Sequence, residues 1–165
     1  MSLATIILAL VTLQRLGELV LARRNTRALL ARGGIEIGAR HYPLIVAVHA
    51  AWLIALWMFG WDQEVDLLAL LLFGLLQGAR VWILATLGER WTTRIIVVPG
   101  EKLVATGPYR YLSHPNYAVV AGEIAVLALA LHLPVVAVVF TILNAVVLTI
   151  RIRAETRALA AASVR

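Results

Sequence analysis

The chain has 165 residues, is 62% hydrophobic and only 15% charged, and has a mean hydropathy of +0.89. A soluble domain is roughly 45–50% apolar and about 25% charged, so this composition excludes a water-soluble fold and reads as an integral membrane protein. With no cysteine there is no disulfide framework, no thiol nucleophile and no Cys-based zinc site. The net charge of +6 has no soluble basic domain to carry it, which argues against nucleic-acid binding.

A crossing helix needs about 20 apolar residues. The first candidate, 3–21, is interrupted late by Arg15 and Glu18. No Lys or Arg precedes it and no small-residue cleavage site follows it, so it reads as a retained span rather than a signal peptide. Spans two and three are expected over 42–61 and 67–87, joined by the acidic link Asp62, Glu64 and Asp66. Residues 88–117 are too polar, and too punctuated by Gly and Pro, to cross. Two shorter apolar runs, 118–131 and 134–150, flank His132-Leu133-Pro134 and read as a helical hairpin, since Pro is tolerated in the first turn of a helix. The expectation is an all-α membrane fold: one domain over 1–165, five transmembrane helices, a cytosolic loop at 88–117 and a cytosolic tail at 151–165.

Basic loops stay cytoplasmic. All basic residues except Arg15 and Arg80 fall in 23–40, 88–117 or the tail. That places the N-terminus outside and the C-terminus in the cytosol, in the cell's inner membrane, with anionic lipid as a neighbour of the basic segments.

Polar residues inside spans are costly. Gln14, Arg15, Gln77 and Asn144 read as interhelical hydrogen-bonding groups and snorkelling arginines. His49 reads as a packed histidine, and the four scattered histidines suggest no metal site. Glu123 and Arg80 call for more, because a lone carboxylate in a membrane needs a cation.

The loop 88–117 carries the densest constraints. A short β-branched run, Ile95–Val98, is broken by Pro99-Gly100; Gly107-Pro108 and His114-Pro115 add fixed points that bias the preceding residues away from helix. Such a loop is suited to hold a ligand, or to cap the helix ends through Trp91, Tyr109, Tyr111 and Tyr117. Beyond the last span, Arg151 and Glu155 are four apart and share a helix face. Positive-inside flanking explains Arg151 but not Glu155.

Three groups of residues together, Gly107-Pro108-Tyr109-Arg110-Tyr111, His114-Pro115-Asn116-Tyr117, and Arg151 with Glu155 after a hairpin, resemble the isoprenylcysteine carboxyl methyltransferase family over residues 88–159. The N-terminal Gln14-Arg15-Leu16-Gly17-Glu18-Leu19 and Ala22-Arg23-Arg24-Asn25 resemble a bacterial branch that O-methylates alkylpyrones or alkylresorcinols. The resemblance implies S-adenosyl-L-methionine as cofactor. It implies that Glu101, Lys102, Leu103, Val104 and Tyr109 line the cofactor pocket, with Arg94 upstream. His114, Pro115, Asn116 and Tyr117 would hold its methionine and ribose parts, Glu155 would contact it, and Arg151 would face the acceptor's oxygen. Ser113 stands where the family commonly has Arg, and Thr156 where it has a second acid. The latter leaves the cofactor reading intact but weakens the case for a prenylcysteine carboxylate as acceptor.

The chemistry is consistent with that implication. S-adenosylmethionine carries a sulfonium, an ammonium and a carboxylate. Tyr109 and Tyr117 offer aromatic faces to the cations, Glu155 offers an anion, and His114 a partner for the carboxylate. No G-x-G-x-x-G follows a strand, which excludes a soluble Rossmann methyltransferase. Arg151 would orient an oxygen that is already ionised; a resorcinol hydroxyl would need a base, for which Glu123, His114 and Glu155 are candidates, Glu123 as a further substrate contact. The acceptor's tail would enter from the bilayer. Two other readings fit less well: an NADPH-dependent sterol-type reductase, usually longer, and a non-catalytic scaffold or small transporter, for which no internal repeat is visible.

Overall fold

The computed structural model describes residues 2–163, with side chains through Thr156. Five helices dominate: α1 (Leu3–Ala31), α2 (Tyr42–Gly60), α3 (Leu67–Leu87), α4 (Pro115–Ala130) and α5 (Pro134–Ser163). Four of them are long and apolar enough to cross a membrane; α4 has 16 residues and is shorter.

The helix starts follow local chemistry. Ser2 caps α1, accepting from the Thr5 amide at 3.1 Å, and Asp66 caps α3, accepting from the Leu68 and Ala69 amides. Pro115 and Pro134 open α4 and α5, where a missing N–H costs nothing. Ser2 and Thr5 also donate to the Trp61 carbonyl at 2.6 and 2.7 Å, tying the start of α1 to the end of α2. The α4–α5 hairpin turns at His132, whose φ of 54 is met by main-chain bonds from Leu133 to Ala128 and from His132 to Leu129.

Two helices outrun the expected spans. α1 continues past 21 to Ala31 because nothing before Gly33 (φ 84) breaks it, and its last turns expose Arg23, Arg24 and Arg27. At 1.5 Å per residue it is roughly 43 Å long, more than a hydrocarbon core requires. α5 likewise runs through 150, so the tail expected after it is helical to Ser163; Arg165 lies outside the described residues and the Arg157 side chain is not described.

The fold is mostly helical, as expected, and one small two-stranded sheet accompanies the helices. β1 (Ile35–Ile37) pairs antiparallel with β2 (Ile95–Val97), with Glu36 opposite Ile96. It joins the α1–α2 connection to the long α3–α4 segment.

The apolar core gathers Leu8 from α1, Trp52 and Leu56 from α2, Phe73 from α3, and Ile124, Leu127 and Leu131 around α4. A second cluster of Ala22, Ile83, Trp91 and Val119 lies nearer the loop.

Glu123 is the centre of a buried ionic network. Its Oε1 accepts from Arg80 Nε at 2.7 Å and from Gln77 Nε2 at 2.9 Å. Its Oε2 accepts from Arg15 Nη2 at 2.9 Å and from Arg80 Nη2. Arg15 and Arg80 also reach Glu18, at 2.9 and 3.2 Å, while Gln14 donates to both Glu18 and Gln77. Two acids and two guanidiniums thus neutralise one another across α1, α3 and α4. Glu123 is therefore not the substrate contact or free base expected from sequence: both oxygens are filled by neighbouring helices.

Removing one partner of a buried pair strands the other charge and typically costs about 3–5 kcal/mol. Glu123→Ala should lower stability in detergent by that order, seen as a markedly lower thermal midpoint. An unchanged midpoint would contradict the structural role given to this carboxylate.

Candidate functional site

The segment between α3 and α4 is held at both ends. At its start, Asn25 of α1, itself buried, donates from Nδ2 to the carbonyls of Trp91 at 2.8 Å and Gly88 at 3.2 Å. The bond to Trp91 satisfies a main-chain acceptor that has no helix to serve it, while the Gly88 carbonyl also takes the Trp91 amide at 3.1 Å. Near its end, Gly107 adopts φ 57, and a Cβ there would come within 2.5 Å of Thr86 Oγ1. A glycine is needed for both the backbone conformation and the close approach to α3.

This segment, β2 and the facing ends of α3, α4 and α5 enclose a cavity of about 530 Å³, a size typical of small-molecule sites. Its wall is apolar along Ile95–Pro99 and Leu103–Val104, and polar where α4 meets α5.

The polar end is a hydrogen-bonded chain. Arg151 donates from Nε to Tyr117 Oη at 2.8 Å, and Tyr117 donates to Glu155 Oε2 at 2.5 Å. A second arm of Arg151, Nη1, donates to the Thr93 carbonyl at 2.7 Å. The guanidinium also lies over the Tyr117 ring, 5.4 Å from its centroid. His114 stacks on the same Tyr117 ring, with centroids 5.2 Å apart, and its Nδ1 is 3.8 Å from Glu155 Oε2. Arg151 is 8% exposed, so its orientation is set by these bonds rather than by solvent. Burial, reinforced by the Glu155 charge, pushes the Tyr109 hydroxyl up to about 12, keeping it a neutral donor at physiological pH.

Most residues expected from sequence meet here. Arg94, Glu101, Lys102, Leu103, Val104, Tyr109, His114, Asn116, Tyr117, Arg151 and Glu155 all line the cavity. Pro115 does not; it is buried as the first residue of α4. Glu123 does not either, being held in the network described above. Two of the lining residues are already engaged. Glu101 is bridged by Arg32 and by Arg90 at 3.0 Å, and Arg94 reaches both oxygens of Glu36 at 2.7 and 2.9 Å while stacking 4.5 Å over Tyr42. These pairs fasten the rim rather than offering free charge.

Sequence reasoning read Trp91 as a helix-end cap and not as part of the cavity wall, and it missed Thr93 as an anchor for Arg151 and Asn25 as the group that holds Trp91. Asn25 had a signal, an Asn inside a run of arginines on α1. Thr93 acts through its carbonyl, which leaves no trace in side-chain pattern.

The isoprenylcysteine carboxyl methyltransferase (ICMT) family model matches residues 67–161. The chain is 38% identical to the uncharacterized protein YpbQ of Bacillus subtilis, over 97% of this chain and 98% of that one. It is 26% identical to an uncharacterized protein of Haemophilus influenzae, over 88% of each. No solved structure matches. The chain belongs to the isoprenylcysteine carboxyl methyltransferase family, which makes it a membrane methyltransferase.

Gly107→Ala should combine strain at positive φ, of order 1–2 kcal/mol, with the contact to Thr86. Gly107→Ala with Thr86→Ala should recover only the contact. A thermal midpoint for Gly107→Ala equal to the wild type would show that this approach is not needed.

Proposed function

We propose that this member of the family is an S-adenosylmethionine-dependent O-methyltransferase acting on a lipophilic acceptor with an acidic oxygen. An alkylpyrone or alkylresorcinol is the acceptor class suggested by the resemblance of its N-terminal helix, with a prenylcysteine-like carboxylate as the other. The observation that carries the reading is the chain Arg151–Tyr117–Glu155 at the polar end of an otherwise apolar cavity.

The residues present suit the cofactor's chemistry. Glu155 is a carboxylate within the cavity for a cationic ammonium, and Tyr109 and the stacked pair His114–Tyr117 offer ring faces to a cation. Two buried polar atoms of lining residues have no partner among the described residues: Asn116 Oδ1, an acceptor, and Trp91 Nε1, a donor. Unpaired buried groups of this kind cost about 1–3 kcal/mol each, and a ligand bearing both donors and acceptors would relieve them. The apolar wall along β2 and Leu103–Val104 suits a flat nucleoside base. Glu101, tied to Arg32 and Arg90, would support the wall instead of binding directly.

When bound, the cofactor supplies an electrophilic methyl group on a sulfonium. The protein's task is then alignment, because an in-line transfer gains most from positioning. Arg151 has Nε and Nη1 committed to Tyr117 and Thr93, and Nη2 has no partner among the described residues. That group would orient an anionic oxygen without protonating it, since a guanidinium does not release its proton in this pH range. A pyrone enolate or carboxylate arrives ionised and needs no base. A phenol would need one, and Glu123 is unavailable because its oxygens are filled. His114 and Glu155, 3.8 Å apart at the polar end of the cavity, are the candidates that remain.

The five helices, α4 included, would sit across the inner membrane with the N-terminus outside. The cavity would then face the cytosol, where the cofactor is made, and the acceptor's tail would reach it from the bilayer. The basic residues of α1 and the loop support that orientation, since they would then lie toward anionic lipid headgroups.

Titration calorimetry on detergent-purified protein tests the reading. S-adenosylhomocysteine should bind saturably, NADPH should not, and Glu155→Ala should weaken binding at least roughly tenfold, in keeping with about 1.5–3 kcal/mol for a hydrogen bond to a charged group. Folded wild-type protein that ignores S-adenosylhomocysteine would overturn the reading. Once an acceptor is in hand, Arg151→Ala should reduce kcat/KM for it with little change in S-adenosylhomocysteine affinity; unchanged turnover would remove the orienting role.

A further inference from the structure

The guanidinium that faces the acceptor is fixed from two sides, and one of them is built by the N-terminal half of the chain. Tyr117 of α4 takes Arg151 Nε at 2.8 Å; the Thr93 carbonyl, just before β2, takes Nη1 at 2.7 Å. With both bonds the plane of the guanidinium is set. With one, it can pivot about the remaining contact. What fixes Thr93 therefore fixes Arg151.

Thr93 is held from α2 and β1. Its Oγ1 shares a hydrogen bond of 3.1 Å with Tyr42 Oη, at the first residue of α2. The next residue, Arg94, lays its guanidinium 4.5 Å over the Tyr42 ring and reaches both carboxylate oxygens of Glu36. Glu36 is in turn registered opposite Ile96 in the sheet. Tyr42 thus serves Thr93 with its hydroxyl and Arg94 with its ring face, while standing outside the cavity lining. It also lies outside the residues matched by the family model.

We infer that Tyr42 is a positioning residue for methyl transfer: its hydroxyl fixes Thr93, whose carbonyl fixes the guanidinium of Arg151 toward the acceptor oxygen. The inference rests on the reading of Arg151 as the acceptor-orienting group. Tyr42→Phe keeps the ring for Arg94 and deletes only the bond to Thr93, which makes it the informative variant. Thr93→Val deletes the same bond from the other side while leaving the carbonyl in place. The two changes together should do no more than either alone, because they remove one interaction.

The full chain, arginine-labelled with ¹⁵N in detergent micelles, supplies the readout. In the wild type the Arg151 guanidinium, identified by its loss in Arg151→Lys, should show separate Nη signals, the mark of restricted rotation. In Tyr42→Phe, and equally in Thr93→Val, those signals should merge or broaden, while S-adenosylhomocysteine affinity stays within about twofold and the thermal midpoint moves little. A merely structural role for Tyr42 would lower the midpoint without this selective change at Arg151. Arg151 signals in Tyr42→Phe identical to the wild type, with S-adenosylhomocysteine still bound by both, would overturn the positioning role alone. Wild-type protein that fails to bind S-adenosylhomocysteine would overturn the methyl-donor reading and, with it, the part given to Tyr42 in methyl transfer.

Discussion

A carboxylate placed among apolar helices must be neutralised where it stands, and the arrangement of this protein follows from how Glu123 is neutralised. Two arginines and a glutamine, from α1 and α3, converge on its two oxygens. The geometry leaves those helices little freedom to slide or roll against α4, because any displacement would strand a charge where water cannot reach it. The network is also self-contained: Glu18 balances the second arginine and Gln14 closes the ring between α1 and α3.

That constraint is felt at the cavity because the same three helices carry its supports. Tyr117 is on α4, about 9 Å along the helix from Glu123 at 1.5 Å per residue. Thr86, against which Gly107 packs, lies at a similar distance beyond Arg80 on α3, and Asn25, which clamps Trp91, continues α1 beyond Glu18. Along these helices, between the network and the cavity, lie the buried Ala22, Ile83 and Val119, packed with Trp91 of the cavity wall. The ionic groups therefore set the geometry without sharing the cavity's chemistry. The polar end of the cavity is held differently, through hydrogen bonds that reach across to β2 and α2, so the site is assembled from both halves of the chain.

Much of this was legible in the residues. The apolar content demanded a helical membrane protein, and Pro and Gly placed the breaks around 99, 107 and 134 within a residue or two. The four-residue spacing of Arg151 and Glu155 put both on one face of α5, where they meet Tyr117. Other features left no local signal. The β-branched run at 95–98 stood out, but its partner at 35–37, two whole helices earlier, is too short an alternation to be read, and only the pairing reveals the sheet. α1 and α5 ran past their expected ends because a hydropathy window stops at the membrane while a helix stops at its breaker. The role of Glu123 was misplaced because a sequence shows that a buried acid needs a cation but not whether its oxygens are left over for a substrate. Glu101 and Arg94 line the cavity, yet their charges belong to Arg32, Arg90 and Glu36, partners distant in sequence.

The central claim is that this cavity moves a methyl group onto a lipophilic oxygen acid. Purified protein in lipid nanodiscs, incubated with methyl-labelled S-adenosylmethionine and a panel of an alkylpyrone, an alkylresorcinol and a farnesylated cysteine, tests it by counting label extracted into organic solvent. The account predicts label in at least one of these acceptors, as an ether or ester, lost in both Arg151→Ala and Glu155→Ala. Cofactor that binds yet leaves all label in the aqueous phase, or label transferred equally well by Arg151→Ala, would contradict it.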